Sequence, residues 1–375
     1  MRTTRFLILT TALGLVATGA SAASYSITGL AQKNMTYTSV AGAQAALVSN
    51  GGYSGVGSLF VSHVSTATTG FGSLCTGSLV NSTTVLTAAH CLYDHDEAGN
   101  ADPVTGITFF LPSFGERHAA DVVTISASDW AFNPLYDNAD HSGDIGSGHD
   151  VGMFTLGQAA TGFDTYDLYL GDPLKQFTEV GTGTIGGPKG TNQGVASDYE
   201  KRTGTNLYEL YGDDLFSDVS HGVVLSDFDD GTTAHDVFGR NLGLDQTGVN
   251  GESDSSPGDS GGPEFINGKI ASVTSFGITG GIFDGYCGGG STDPYNKNGS
   301  ATPTALSGCT NSSIGEIAGN TLVSYNVGFI NGYISAHGAS PEAVPEPVSW
   351  ALMLGGFGMV GSAMRRRQRA AVRFG

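Results

Sequence analysis

An all-β fold is what this chain predicts, on three features. Charged residues make up only 14% of its 375, while glycine alone contributes 58. Ser and Thr are abundant too, a balance that suits short strands and many turns better than long helices. The apolar residues gather in short strand-like runs between polar and glycine-rich stretches, the pattern of half-buried strands. No repeat of fixed period interrupts it. At this length the chain holds one large or two small domains, ample for a core.

The ends read as addresses. Arg2 and Arg5 precede an uncharged apolar run at residues 6–17, followed by Ala20-Ser21-Ala22. A basic start, a short apolar stretch and an Ala-x-Ala site predict a cleaved signal peptide over residues 1–22. The body is then exported, and its cysteines can be oxidised. Residues 23–50 are small and polar without firm periodicity, as in a pro-segment or N-terminal extension. The protein's main domain is expected over residues 51–340.

At the other end, Val344-Pro345-Glu346-Pro347 leads into an uncharged run at residues 348–364 and then Arg365-Arg366-Arg367-Gln368-Arg369. Seventeen residues are at the short limit for a membrane span. The arginines would hold that end on the cytoplasmic side. Residues 341–375 resemble a PEP-CTERM sorting signal. That resemblance implies an exosortase as processing partner and a Gram-negative source. It also implies a transient inner-membrane anchor before release to the surface, the matrix or the medium. A permanent single-span anchor is the alternative.

Charge narrows the partners. The formal net charge is −19, yet seven of the 16 basic residues lie in the two terminal segments. The body between them is more acidic still and repels phosphate backbones, so nucleic acid is not expected as a partner.

Strand-like runs open the body at residues 56–61, 75–80 and 84–87. The last leads directly into Ala88-Ala89-His90-Cys91. A histidine closing a β-branched strand beside a cysteine has little rotational freedom, which suits a general base. Further on, His149-Asp150 heads the apolar run Val151-Gly152-Met153-Phe154, so Asp150 can be buried at a strand start and face a histidine. Asp144 competes for that role, but Gly146-Ser147-Gly148 follows it where an apolar strand should run. More short strands are expected at residues 168–170, 177–181, 223–225 and 237–238. Asp254-Ser255-Ser256-Pro257 then leads into Gly258-Asp259-Ser260-Gly261-Gly262-Pro263. A serine among such small residues can stand on a tight turn, with the Gly258 and Ser260 N–H groups aimed at one oxyanion. A strand over residues 269–274 ends in Ser275-Phe276-Gly277. Tyr325, Phe329 and Tyr333, with Ile330 and Ile334 alongside, are spaced for an amphipathic helix.

Thr87-Ala88-Ala89-His90-Cys91 resembles the histidine motif of the trypsin/chymotrypsin family of serine proteases. Cys75-Thr76-Gly77-Ser78-Leu79, Asp150 with its strand, and the Ser260 hexapeptide fit the same family in its own order. The resemblance covers roughly residues 50–336 and implies two antiparallel six-stranded β-barrels with a C-terminal helix. It implies His90, Asp150 and Ser260 as catalytic residues, with Gly258 and Ser260 as the oxyanion hole. It further implies Asp254 at the base of the primary pocket, hence cleavage after Arg or Lys, and Ser275, Phe276 and Gly277 as a strand that pairs with substrate. A Cys75–Cys91 disulfide follows from it. By chain entropy such a loop closure stabilises by about 3 kcal/mol. Four cysteines allow three pairings, of which Cys75–Cys91 with Cys287–Cys309 is the favoured one.

Two features depart from the family. Ser256 occupies a position usually held by cysteine. No basic residue precedes Val48-Ser49-Asn50-Gly51-Gly52, where an activation site would stand. In the family a freed N-terminus pairs with the acid before the serine, here Asp259. No nucleotide loop or metal-ligand cluster is evident, the Asp-rich loops lack EF-hand spacing, and no cofactor is expected. The sequence thus predicts an exported serine endopeptidase acting on protein or peptide substrates. The alternative from another class is a non-catalytic surface or matrix binding protein that keeps the fold.

Overall fold

The computed structural model describes residues 36–37, 52–66, 69–93, 104–111, 123–136, 144–191, 200–244, 248–249, 251–283, 294–295 and 311–337. All belong to one compact unit, Met1–His337. The expected signal peptide at residues 1–22, residues 341–375, Cys287 and Cys309 lie outside the described residues, as do residues 23–50 except for Thr36 and Tyr37. Among the described residues no helix is long and apolar enough to cross a membrane.

That pair forms strand β1 (Thr36–Tyr37). The strands β2 (Val56–Thr66), β3 (Thr69–Asn81), β4 (Thr84–Thr87), β5 (Val104–Leu111), β6 (Val123–Phe132) and β7 (Gly152–Leu156) close into an antiparallel barrel in the order β2-β3-β4-β7-β6-β5. Its core is Leu59, Val61, Leu79, Val85, Phe109, Leu111, Phe154 and Leu156. Phe109 and Phe154 meet edge to face at 5.7 Å, a favoured aromatic geometry.

The second half contains β8 (Gln176–Gly181), β9 (Gly186–Gly187), β10 (Gly190–Thr191), β11 (Arg202–Leu207), β12 (Leu210–Tyr211), β13 (Val223–Asp227), β14 (Ser253–Asp254), β15 (Pro263–Ile266), β16 (Lys269–Thr279) and β17 (Glu316–Leu322). Seven of them curl into a half-barrel in the order β11-β8-β15-β16-β17-β13-β12, flanked by a small sheet, β10-β9-β1-β14. One side chain links these edges. Asn206 Nδ2 on β11 donates to Asp227 O at 2.7 Å and to Ser253 O at 3.1 Å. The all-β, two-barrel architecture expected from the resemblance is therefore present, except that the second unit is a seven-stranded half-barrel rather than a closed six-stranded barrel.

Among the described residues four short α-helices accompany the strands: α1 (Ala89–Leu92), α2 (Gly212–Leu215), α3 (Val237–Leu242) and the C-terminal α4 (Val327–His337). The expected C-terminal helix is α4. It buries Ile330 and Tyr333 in a seam formed by Val56, Leu86, Val151 and Met153 of the first barrel and Val180, Phe265, Ile270 and Val273 of the second. Phe329 and Ile334 pack on the same seam, but Tyr325 precedes the helix and is 48% exposed.

Other expectations change as well. Residues 237–238 open helix α3 rather than a strand, because Asp236 caps it through Gly239 N. Residues 168–170 make a single bridge, Leu168 to Ile270, and no ladder. His90 lies within α1, one turn past the end of β4, rather than closing the strand itself. The strand expected over residues 269–274 continues to Thr279, with an irregularity between Thr274 and Phe276.

Candidate active site

All four residues of β4 are buried, and Thr87 Oγ1 donates to Thr76 O at 2.9 Å. Ala88 and Ala89 are fully buried, so the backbone arrives at His90 without slack. The next residue, Cys91, is disulfide-bonded to Cys75 on β3. The histidine is thus anchored on both sides, while its side chain keeps 24% exposure.

Asp150 reaches His90 because β4 pairs with β7, Thr87 opposite Gly152. Its side chain is fully buried. Asp150 Oδ1 accepts the His90 backbone N–H at 2.8 Å, and Oδ2 faces His90 Nδ1 at 2.7 Å. Oδ2 also accepts from Ser275 Oγ. A carboxylate facing Nδ1 fixes the neutral tautomer with its proton there, which leaves the Nε2 lone pair outward. Asp144 has a different task, capping a short 3₁₀ turn through Gly146 N at 2.9 Å. The turn before Asp150 is pinned from α4's side: Asn326 Nδ2 donates to Gly148 O at 2.8 Å.

Ser260 sits on a turn held by its neighbours' amides. The N–H groups of Asp259, Gly261 and Gly262 donate to Ser256 O, Thr274 O and Asp259 O at 2.9, 2.8 and 2.7 Å. Those of Gly258 and Ser260 have no protein acceptor among the described residues. Gly258 has φ 104° and Gly261 φ 77°, in the region that favours glycine. A Cβ on Gly261 would stand 2.1 Å from Thr87 Oγ1 and 2.6 Å from Ala88 N. Only glycine lets the serine turn pack onto the approach to His90.

Thr76 joins the parts. Its N–H donates to Ser260 O at 2.8 Å and its Oγ1 to Gly258 O at 2.9 Å. It follows Cys75, so one stretch of β3 braces the serine turn directly and the histidine turn through the disulfide. Ser260 Oγ itself makes no hydrogen bond among the described residues. Such contacts are often long before substrate arrives.

Ser275 occupies the irregular position in the β16–β17 pairing, where Thr274 faces Asn320 and Phe276 faces Gly319. An extra residue in one strand re-aims its side chain, here onto Asp150. On its other side β16 pairs with β15 only over Lys269–Val273. The backbone of Ser275, Phe276 and Gly277 therefore presents an edge that no described strand covers on that side.

Asp254 lies on β14, whose pairing aligns it with Thr36 of the N-terminal extension. It is 5% exposed. Desolvation first, then the charges of Glu316, Glu179 and Asp259, push its carboxyl well above the usual carboxylate range. Ser256 donates Oγ–H to Thr184 O at 3.0 Å. Asp259 is buried too. Its oxygens accept Gly183 N–H at 2.8 Å and Ser256 N–H at 3.1 Å, and burial raises the carboxyl to about 6.

Behind the turn, Glu264 on β15 accepts from Tyr208 OH at 2.6 Å, from Thr274 Oγ1 at 3.3 Å and from Ser272 Oγ. Burial lifts it from 4.5 to about 7. Opposite it, Glu179 is lifted to about 8, first by burial and also by Asp259 and Glu264. Both carboxyls bind their protons more tightly in the folded chain than in the unfolded one. Their contribution to stability is complete below the unfolded value near 4.5 and is lost as pH rises through about 7 and about 8. Calorimetry should show the melting temperature falling across this window, and Glu264→Gln should flatten the part of the fall near neutral pH. An equally steep fall in the variant contradicts this assignment.

Two comparisons bear on the arrangement. Residues 51–205 match the trypsin family. The chain is also similar to brachyurin of Leptuca pugilator, 32% identical over 212 residues, which cover 56% of this chain and 79% of that protein.

Proposed function

The chain belongs to the trypsin family of serine proteases, and on that premise we propose that it is an exported endopeptidase using Ser260, His90 and Asp150. The observation that carries this reading is the pair of hydrogen bonds from His90 to the buried Asp150, with Thr76 fastening the serine turn beside it. Ser260 Oγ attacks the peptide carbon while His90 Nε2 takes its proton. The free Gly258 and Ser260 N–H groups receive the oxyanion. Asp150 balances the imidazolium, which protonates the departing amine as the C–N bond breaks. Water, deprotonated by the same histidine, then releases the acyl group from Ser260. The open edge at Ser275, Phe276 and Gly277 takes the substrate backbone as an added strand.

Asp254 is the specificity determinant in this proposal, giving cleavage after Arg or Lys. Its raised carboxyl ionises when a guanidinium or ammonium enters and replaces the lost solvation. The test is a panel of peptides differing only in the residue before the scissile bond. Asp254→Ser should lower kcat/KM for Arg and Lys peptides by about 10²–10³, the loss typical of leaving a desolvated charge unpaired, and spare apolar ones. A wild-type preference for small or apolar residues sinks the assignment.

Residues 1–22 then direct export, and the Cys75–Cys91 disulfide fits an oxidising compartment. Residues 23–50 act as a pro-segment, a role supported by the pairing of Thr36 and Tyr37 with the Asp254 strand. Residues 341–375 serve as the sorting signal and transient membrane anchor.

A further inference from the structure

Five buried carboxylates gather around the end of β13, where the catalytic proposal gives them no task. Asp227 ends β13, Asp229 follows in the next turn, and Asp236 caps α3. Glu209 precedes β12 and Glu252 precedes β14. Asp227, Asp229 and Asp236 are 1–2% exposed, and each offers a carboxylate oxygen within 4.8 Å of the others.

Backbone amides hold one oxygen of each. Val237 N–H donates to Asp227 Oδ2, Gly231 N–H to Asp229 Oδ1 and Gly239 N–H to Asp236 Oδ1. The second oxygens of two of them, Asp227 Oδ1 and Asp229 Oδ2, are buried without a hydrogen-bond partner, as is Glu209 Oε1. Both Glu252 oxygens are taken, at 2.8 Å by Val249 N–H and at 2.9 Å by Asp229 N–H. Backbone amides thus fix one face of the cluster while carboxylate oxygens are left bare in the interior. Bare buried anionic oxygens are costly unless a proton or a cation joins them. Burial first, and then their neighbouring carboxylates, push both Glu209 and Asp227 upward. A proton shared between those two, however, leaves Asp229 Oδ2 unanswered.

We propose that Asp227, Asp229 and Asp236 ligate a hard divalent cation of the Ca²⁺ type, with Glu209 and Glu252 close beside them. An all-oxygen set of carboxylates suits Ca²⁺, which accepts six to eight oxygens in flexible geometry, better than zinc, which prefers nitrogen and sulfur. The cation ties residues 228–252 to β13 and β14. Through Asn206, which bonds both Asp227 O and Ser253 O, it also stiffens the approach to Asp254. The site uses no part of the Ser260 machinery and stands whether or not the protease proposal does.

The test is thermal unfolding of the purified mature protein, stripped with EDTA and titrated with CaCl₂, with stoichiometry from calorimetric titration. One ion per chain is expected, with a saturable rise in melting temperature of roughly 5–10 °C at high excess that EDTA reverses. Asp229→Asn and Asp227→Asn should each remove that rise. In metal-free buffer Asp229→Asn should melt at or above the stripped wild type, because a repulsive charge is gone. A wild type that binds no Ca²⁺ overturns the site in favour of protons alone. A Ca²⁺ response that survives in both variants moves the ion elsewhere and overturns it equally.

Discussion

Ser260→Ala should lower kcat for peptide hydrolysis by on the order of 10⁶, as removal of the nucleophile does in an unrelated fold with the same three groups. The loss should come without unfolding. The turn is held through Ser260 O and the amides of Asp259, Gly261 and Gly262, none of which the substitution touches, and Ser260 Oγ makes no hydrogen bond among the described residues. An unchanged melting curve with activity gone is the expected pair of results. A variant that keeps even a hundredth of the wild-type kcat would remove Ser260 from the chemistry.

Asp150→Asn should cost about 10⁴ in kcat, with KM moved far less. Asp150 accepts from three donors: the His90 backbone N–H, His90 Nδ1–H and Ser275 Oγ–H. An amide has only one acceptor oxygen. Whichever way it turns, its NH₂ meets a donor. If the NH₂ faces the ring, the histidine proton moves to Nε2 and no lone pair faces the serine. If it faces the backbone, the turn that presents His90 opens. The melting temperature should therefore fall as well, unlike that of Ser260→Ala. Activity within tenfold of wild type would show that another group orients the histidine.

Much of this arrangement was legible in the chain because it is written in short, contiguous signals. The β-branched strand into Ala88-Ala89-His90-Cys91, the apolar strand after Asp150 and the glycines around Ser260 each carry their local geometry with them. What stayed hidden depends on partners far away in sequence. Thr76 looks like an ordinary strand residue until the fold brings Gly258 and Ser260 against it. Ser275 reads as a backbone contact, yet its irregular place in the β16–β17 ladder turns its hydroxyl onto Asp150. The pair Val237-Phe238 carries strand-forming side chains, and the Asp236 cap overrode that preference. Tyr325 shares the helical spacing of Phe329 and Tyr333 but precedes the helix, where it packs 5.1 Å from the His149 ring. The acidic cluster shows no EF-hand spacing: Asp227, Asp229 and Asp236 are close in sequence, but Glu209 and Glu252 join them from elsewhere in the fold.

Ser260 as the nucleophile is tested most directly by intact-mass analysis of the mature protein after reaction with a fluorophosphonate, followed by peptide mapping. One adduct per chain is predicted, located on the peptide containing Ser260. It should be absent in Ser260→Ala and slowed by orders of magnitude in Asp150→Asn. No adduct on the folded wild-type protein, or an adduct that persists in Ser260→Ala, would contradict the account and favour a binding protein that has kept the fold without the chemistry.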